Sequence, residues 1–304
     1  MSGVITSSSF AKLLWPGINS IYGKAYNDYP QEWKSLGFEI NKSQKAYEED
    51  VGISSFGLAS VKSEGASITY DTERQAFTTR YNHVVYAMGF IITREIYEDD
   101  QYSEVGKRKA NALARSMNQT KEITAANIFN RINTSGYTGG DGVTLLSAVH
   151  PNVAGGTWSN MPATAADLSE ASLEQAAIDI AAFRDDRGLL IACKSRKLIT
   201  HPANQFEAKR ILGSDGRVGT DNNDLNAVKT MGIIPEVTIN HYLTDQDQWV
   251  IVTDVNDGLK YFERRADQFE MDNDFDTENA KFKATGRYSF GWTDPRCVYG
   301  SVGA

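Results

Sequence analysis

Between Val51 and about Tyr81 the chain is rich in Gly, Ser and Thr, and polar and apolar residues alternate through Ser67-Ile68-Thr69-Tyr70 and Ala76-Phe77-Thr78-Thr79. A period of two puts successive side chains on opposite faces, so this stretch predicts a long, weakly hydrophobic β-hairpin, with Gly52, Gly57 and Gly65 available for turns. An isolated two-stranded ribbon is marginal in water, so the hairpin must lie on another surface. The apolar run from His83 to Ile92 predicts a buried strand. It leads through an acidic patch, Glu95 with Glu98, Asp99 and Asp100, into a change of period. From Lys107 to Ser135 there is neither Gly nor Pro, and Ala110, Leu113, Met117, Ala125, Ile128, Phe129 and Ile132 fall at helical spacing. A helix of about 28 residues, ~42 Å long, follows from that pattern. The acidic residues before it suit the positive end of its dipole.

Gly136-Tyr137-Thr138-Gly139-Gly140-Asp141-Gly142 then breaks the chain and marks an internal boundary. Beyond it, Asp167 with Glu170 resembles a capping box, and Leu173, Ala176, Ala177, Ile180 and Phe183 supply one helical stripe, closed by the turn Asp185-Asp186-Arg187-Gly188. Strands are expected through Leu189–Cys193 and Leu198–Thr200, then a short helix with Pro202 in its first turn and Gly213 after its end. Further strands run through Val237–Ile239, Trp249–Val252 and Leu259–Phe262, with Asn256-Asp257-Gly258 as a hairpin turn, and the tail from Phe282 to Tyr299 is again strand-like.

Residues 1–50 show no sustained period and read as an arm. Its aromatic residues, among them Trp15, Tyr22 and Trp33, need a surface to bury against, which a neighbouring subunit offers as readily as the chain's own body. Arm and hairpin together make the front third look too extended and too thinly buried to be stable alone.

Composition narrows the function more than the fold. Hydrophobic residues at 41% and charged residues at 23% are ordinary for a folded, water-facing protein. A net charge of -8 with no basic run gives little footprint for a phosphate backbone. The amino terminus has no basic stretch followed by an apolar core, and no apolar run approaches a membrane span, so a cytosolic protein is expected. Cys193 and Cys297 are too few for a disulfide framework and read as reduced, packed thiols.

Candidate chemistry is sparse. Gly23-Lys24-Ala25 and Gly106-Lys107-Arg108 lack the hydroxyl residue of a phosphate loop, and Gly213, Gly216 and Gly219 do not have dinucleotide spacing. Asp272, Asp274 and Asp276 alternate like a calcium loop, but Thr277 and Lys283 stand where its glycine and bidentate glutamate belong. Ser147, His150 and Asp141 are the residue types of a nucleophile, base and orienter, without the glycines of a nucleophile elbow. No cofactor or metal is expected.

The run Leu145-Leu146-Ser147-Ala148-Val149-His150-Pro151-Asn152 is followed by Gly155-Gly156, Ser159-Asn160, Leu168-Ser169 through Leu173-Glu174, Phe183-Arg184-Asp185-Asp186-Arg187-Gly188 and the Pro202 helix. In this order the pieces resemble the major capsid proteins of Mu-like and related tailed bacteriophages. The resemblance implies an α+β, Hong Kong 97-like fold with an N-terminal arm over 1–50 and an extended β-hairpin loop over 51–82. It further implies a peripheral domain over 83–140 and 266–304, with a long spine helix at about 103–132, and an axial domain over 141–265. By the same resemblance arm and loop reach across adjacent subunits, which form hexamers and pentamers of an icosahedral head shell, the virion capsid, assembled in the cytoplasm of a bacterial host.

Such a shell encloses double-stranded DNA without sequence-specific binding and has no catalysis of its own. Because the sequence begins almost directly with the arm, a separate scaffolding protein is expected, with a portal and a decoration protein as further partners. Trp15, Tyr22 and Trp33 of the arm, Lys62, Glu64, Glu73 and Arg74 of the hairpin, and Glu98, Asp99 and Asp100 before the helix are the expected inter-subunit contacts. Solvated surface charge is the plain reading of the charged ones. The alternatives are an encapsulin-like nanocompartment shell and, from another class, a soluble hydrolase using Ser147, His150 and Asp141.

Overall fold

Pro16-Gly17 interrupts the apolar spacing of the first residues, yet the chain is helical on both sides of it, through α1 (Ser8–Asp28). The arm is therefore not irregular: Ile18 and Tyr22 are buried on one face of α1, with Ile21, Ala25 and Tyr26 beside them. The computed structural model describes residues 8–93, 95–96, 102–217, 224–274 and 279–304, without the side chains of residues 8–17, 102–104 and 273. A short 3-10 turn, Glu32–Leu36, follows α1 and ends at Gly37, whose φ of 91° lies in the left-handed region.

Two four-stranded sheets carry the body. The first has the order β1-β10-β11-β4 and the second β12-β9-β7-β8. Their ranges are β1 Glu39–Lys42, β4 Val84–Ile92, β7 Ser195–Thr200, β8 Glu236–Ile239, β9 Trp249–Thr253, β10 Leu259–Asn273, β11 Ala280–Trp292 and β12 Val298–Ser301. The long helix α2 (Tyr102–Asn130) lies along the first sheet, because its stretch from Lys107 on, without Gly or Pro, carries a continuous stripe of buried Ala110, Leu113, Ala114, Met117, Ala125 and Phe129. Helices α3 (Glu170–Ala181), α4 (Gln205–Gly213) and α5 (Ala227–Thr230) cover the second sheet around Leu173, Ile180, Ala208 and Trp249.

One core joins the two sheets. Trp33, Leu36 and Phe38 pack with Phe129, Leu145, Ile199, Val250, Tyr261, Tyr288 and Val298 in a single cluster. Tyr22 and Trp33 are each only 4% exposed within their own chain, Tyr22 stacked on Phe269 at 4.5 Å and Trp33 tilted against Tyr261 at 4.7 Å. Both find their cover within their own chain, the second of the two surfaces the sequence left open; aromatic area of this size is buried wherever the nearest apolar surface allows. A bulge in β10 between Arg265 and Gln268 turns Asp267 inward. There it meets Lys121 Nζ at 2.6 Å and the Tyr26 hydroxyl at 2.5 Å, tying α1, α2 and the sheet together.

Other expectations are corrected in the same way. Strand β4 exists, but it is the open edge of its sheet, with Val84, Val85, Met88 and Ile91 about half exposed rather than buried. Residues 189–193 form no strand beyond the isolated bridge Arg184–Leu190, and Leu190 is 60% exposed. The cap of α3 is Ser169 with Ser172, not Asp167 with Glu170, the two serines exchanging side-chain and backbone bonds. Asn256-Asp257-Gly258 joins strands of different sheets rather than a hairpin. The domain border set at 265/266 cuts β10, and the tail strand β12 pairs with β9 in the second sheet.

Glu122, on the inner face of α2, is fully buried and its Oε2 accepts the Trp33 N–H at 2.8 Å, holding the 3-10 turn. Burial pushes its carboxyl from the usual 4.5 up to about 7. Between those two values the folded state keeps a proton that the unfolded chain releases, so the contribution of Glu122 to stability is fullest below pH 4.5 and is lost as pH rises through about 7. Glu122→Gln removes that slope and raises the denaturant midpoint at pH 8 relative to wild type; midpoints at pH 5.5 and 8 for both chains test it.

Candidate assembly surface and the polar network behind it

The hairpin stem is β2 (Tyr47–Ile53) with β3 (Gln75–Asn82), and its ladder stops at the pair Ile53–Gln75. It is shorter than the alternation implies: Ser67–Tyr70 lies in no strand. Three contacts seat the stem on the body. Tyr81, 2% exposed, lies over Gly291, where a Cβ would stand 2.7 Å from the ring, and its hydroxyl shares a hydrogen bond of 2.6 Å with Thr293. Lys260 Nζ, held against Asp257, reaches Asp50 on β2 at 2.5 Å. Gly140 faces Thr78 and Thr79 so closely that a Cβ would fall 2.7 Å from the Thr78 carbonyl oxygen.

Beyond the stem the chain leaves its own core. Every residue from Leu58 to Tyr70 is exposed, including Leu58 at 83%, Val61 at 98% and Tyr70 at 84%. Lys62, Glu64, Glu73 and Arg74 are exposed on this loop, as a contact surface requires. Glu98, Asp99 and Asp100 lie outside the described residues, as does the side chain of Trp15.

The residues that suggested hydrolysis are gathered, but as a strut. His150 is fully buried, its Nδ1 at 2.7 Å from Asp141 Oδ2 and its Nε2 at 3.2 Å from Asn160 Oδ1. A triad needs the serine oxygen on the nitrogen opposite the acid. Here Asn160 holds that nitrogen, while Ser147 Oγ accepts the Val149 N–H at 3.2 Å. The Trp158 ring stacks on the imidazole at 4.6 Å and shuts it from solvent. Among the described residues no group of His, Cys, Asp or Glu is gathered as a metal would need, and Asp274 pairs with Lys281 at 2.5 Å; Asp276 lies outside them. Both cysteines are buried and free.

Asn160 is the hub that charge- and motif-based reading misses. Its Oδ1 also accepts the Ser147 N–H at 2.9 Å, and its Nδ2 donates to the carbonyls of Leu145 and Pro295 at 2.7 and 3.2 Å. Arg296, 8% exposed, continues the network: it bonds Asp186 at 2.9 Å, Asn152 at 3.2 Å and the Arg184 carbonyl at 2.8 Å, with its guanidinium 4.6 Å from the Trp158 ring centre. Burying so many polar groups is tolerable only because they satisfy one another. The pieces Leu145–Asn152, Ser159-Asn160 and Phe183–Gly188 are thus joined in space by hydrogen bonds that end at the hairpin's mouth.

The family model described as phage capsid protein matches residues 75–301. No curated protein matches the chain in sequence. Among solved structures it is similar to a virus-like particle from Pyrococcus furiosus, at 11% identity and a TM-score of 0.51 over 93% of this chain and 97% of that one. It is also similar to the capsid of Myoviridae phage XM1, at 10% identity and a TM-score of 0.52 over 90% and 92%. The procapsid of bacteriophage JBD30 has 12% identity and a TM-score of 0.53 over 98% of this chain and 76% of that one. Such identities carry the fold, which is the α+β fold of Hong Kong 97-like capsids, and the match over most of the sequence carries the family: this chain belongs to the phage capsid protein family and is a structural protein of the capsid.

Proposed function

We propose that this chain is the shell-forming subunit of a tailed-phage head, arranged as hexamers and pentamers into an icosahedral shell around double-stranded DNA, with no catalytic chemistry. The observation that carries this is the loop Leu58–Tyr70, an extended segment that shows Leu58, Val61, Ile68 and Tyr70 to solvent and joins none of the core clusters of its own chain. Apolar side chains so placed gain burial on another molecule, and in a capsid that molecule is an identical neighbour. Modest contacts of this kind add up when each subunit touches several others. The net charge of -8 suits a container that does not grip its polyanion.

A scaffolding protein and a portal are the partners this reading calls for, and it is compatible with a decoration protein, with assembly in the cytoplasm of the bacterial host before the virion is released. A nanocompartment shell would share the fold; the family match favours the phage head, and DNA rather than protein inside purified particles separates the two. Electron microscopy of the expressed chain, with and without a scaffolding partner, is expected to show closed shells, tubes or rings of six and five. A monomer that stays monomeric at high concentration in both preparations would overturn the proposal.

A further inference from the structure

Past the last ladder pair, Ile53–Gln75, Ser54 and Arg74 still join the limbs, the Ser54 N–H donating to the Arg74 carbonyl at 2.9 Å and the Arg74 N–H to Ser54 Oγ at 3.0 Å, and from Ser55 on no strand pairing directs the hairpin loop. Its course is set instead by a small polar junction with the turn Asp185–Gly188. Arg187 donates twice to the returning limb, to Asp71 Oδ2 at 2.7 Å and to the Thr72 carbonyl at 2.6 Å. The same Asp71 oxygen accepts the Gly57 N–H of the outgoing limb at 2.8 Å, so one carboxylate closes both limbs onto one guanidinium. Ser55 adds a second tie, its hydroxyl donating to Asp185 Oδ2 at 2.9 Å.

The turn is built to hold still. Asp185 Oδ1 accepts the N–H groups of Arg187 and Leu189 at 2.9 and 2.8 Å, Gly188 takes the φ of 81° that the reversal requires, and buried Arg296 fixes Asp186 from behind. Beside the junction lies a cleft of about 290 Å³, lined by Ser54, Asp71, Arg74, Asp186 and Arg187 together with Val153 and Ala154.

We infer that Arg187 and Asp185 are positioning residues for assembly, which set the angle at which the hairpin loop leaves the body so that its apolar tip meets a neighbouring copy. This rests on the capsid reading above and names the part of the chain that aims the contact. The leverage is large. The ten steps from Ser55 to Gly65 span up to ~33 Å, so a swing of about 20° at the base carries the tip roughly 11 Å, further than the width of an interface side chain. A bidentate Arg grip fixes direction as well as distance, and a loop already aimed binds with less ordering loss. Half-exposed, the grip also weakens with salt.

The test compares wild type with Arg187→Gln, Arg187→Lys, Asp71→Asn and the double Arg187→Gln/Asp71→Asn, all as full-length chains. Limited proteolysis of unassembled subunits reads the opening of residues 54–74, thermal unfolding reads the body, and shell yield under wild-type assembly conditions reads function. Arg187→Gln is expected to speed cleavage about three- to tenfold with the unfolding midpoint unchanged, and to lower shell yield. Arg187→Lys, which keeps the charge and loses the fork, should fall between. The double variant should be no worse than either single, since both remove one contact. Cleavage and yield at wild-type levels in Arg187→Gln, or effects that simply add in the double, would overturn the inference. Wild-type chain that never forms shells would instead count against the capsid reading, while cleavage still reports the junction.

Discussion

A chain in which Leu58–Tyr70 is replaced by a short glycine-containing turn is expected to unfold at the wild-type temperature, within about 2 °C, and to build no shells. The body loses nothing: none of these residues joins a core cluster, and the tie across the loop is the exposed pair Ser60–Thr69 at 2.9 Å. Shortening a flexible loop changes closure entropy by about 1 kcal/mol at most, in the favourable direction. Assembly loses a great deal. Burying Leu58, Val61, Ile68 and Tyr70 on a neighbour is worth roughly 1.5–3 kcal/mol apiece before ordering losses, repeated at every contact in the shell. Calorimetry and electron microscopy of the same preparation decide it. Normal shells would show that the loop is decoration, and a large fall in midpoint would show that it supports the body after all.

Asn160→Ala is expected to cause the largest loss of subunit stability of any single polar truncation, about 4–6 kcal/mol. The change strands the Ser147 N–H, the His150 ring nitrogen and the carbonyls of Leu145 and Pro295, all at a site that is fully buried. Each orphaned group costs about 1–3 kcal/mol, less whatever relaxation recovers. Asn160→Asp is a sharper probe of orientation, because it keeps the acceptor but points a second oxygen at two carbonyls. Urea unfolding at constant m-value measures both. A loss below about 1 kcal/mol for Asn160→Ala would remove the strut from this account.

Much of this was legible in the sequence for reasons that individual residues make plain. The spine helix announced itself because an uninterrupted stretch without Gly or Pro repeats Ala, Leu and Met on one face. The hairpin did so through its glycines and alternation, although alternation alone could not reveal that its outer half makes no ladder. Helix α1 was hidden by Pro16-Gly17, a pair that argues against the very helix containing it. Strand β4 misled in the opposite sense, since an apolar run records that a surface will be covered and not which molecule covers it.

Tyr22 and Trp33 show the same ambiguity resolved inward, and among the described residues of the front third the longest stretch left exposed by its own chain is the hairpin loop. Asn160 and Arg187 carried no period, and although both stand in the pieces that carry the resemblance, nothing in those pieces shows what either side chain holds. Their importance lies in partners far away in sequence, such as Pro295 and Asp71, and only the folded chain brings these together.

The core that runs unbroken between the two sheets has a mechanical corollary. Interiors packed at crystal-like density resist bending, so each subunit behaves as a stiff tile. A closed container cannot be tiled by stiff pieces at one fixed angle, because fivefold and sixfold corners differ in pitch. The mismatch must be taken up in whatever lies between the tiles, and on the capsid reading that falls to the exposed, unpaired ribbon Leu58–Tyr70, past the Arg187 junction, whose base is aimed while its tip is free to adapt.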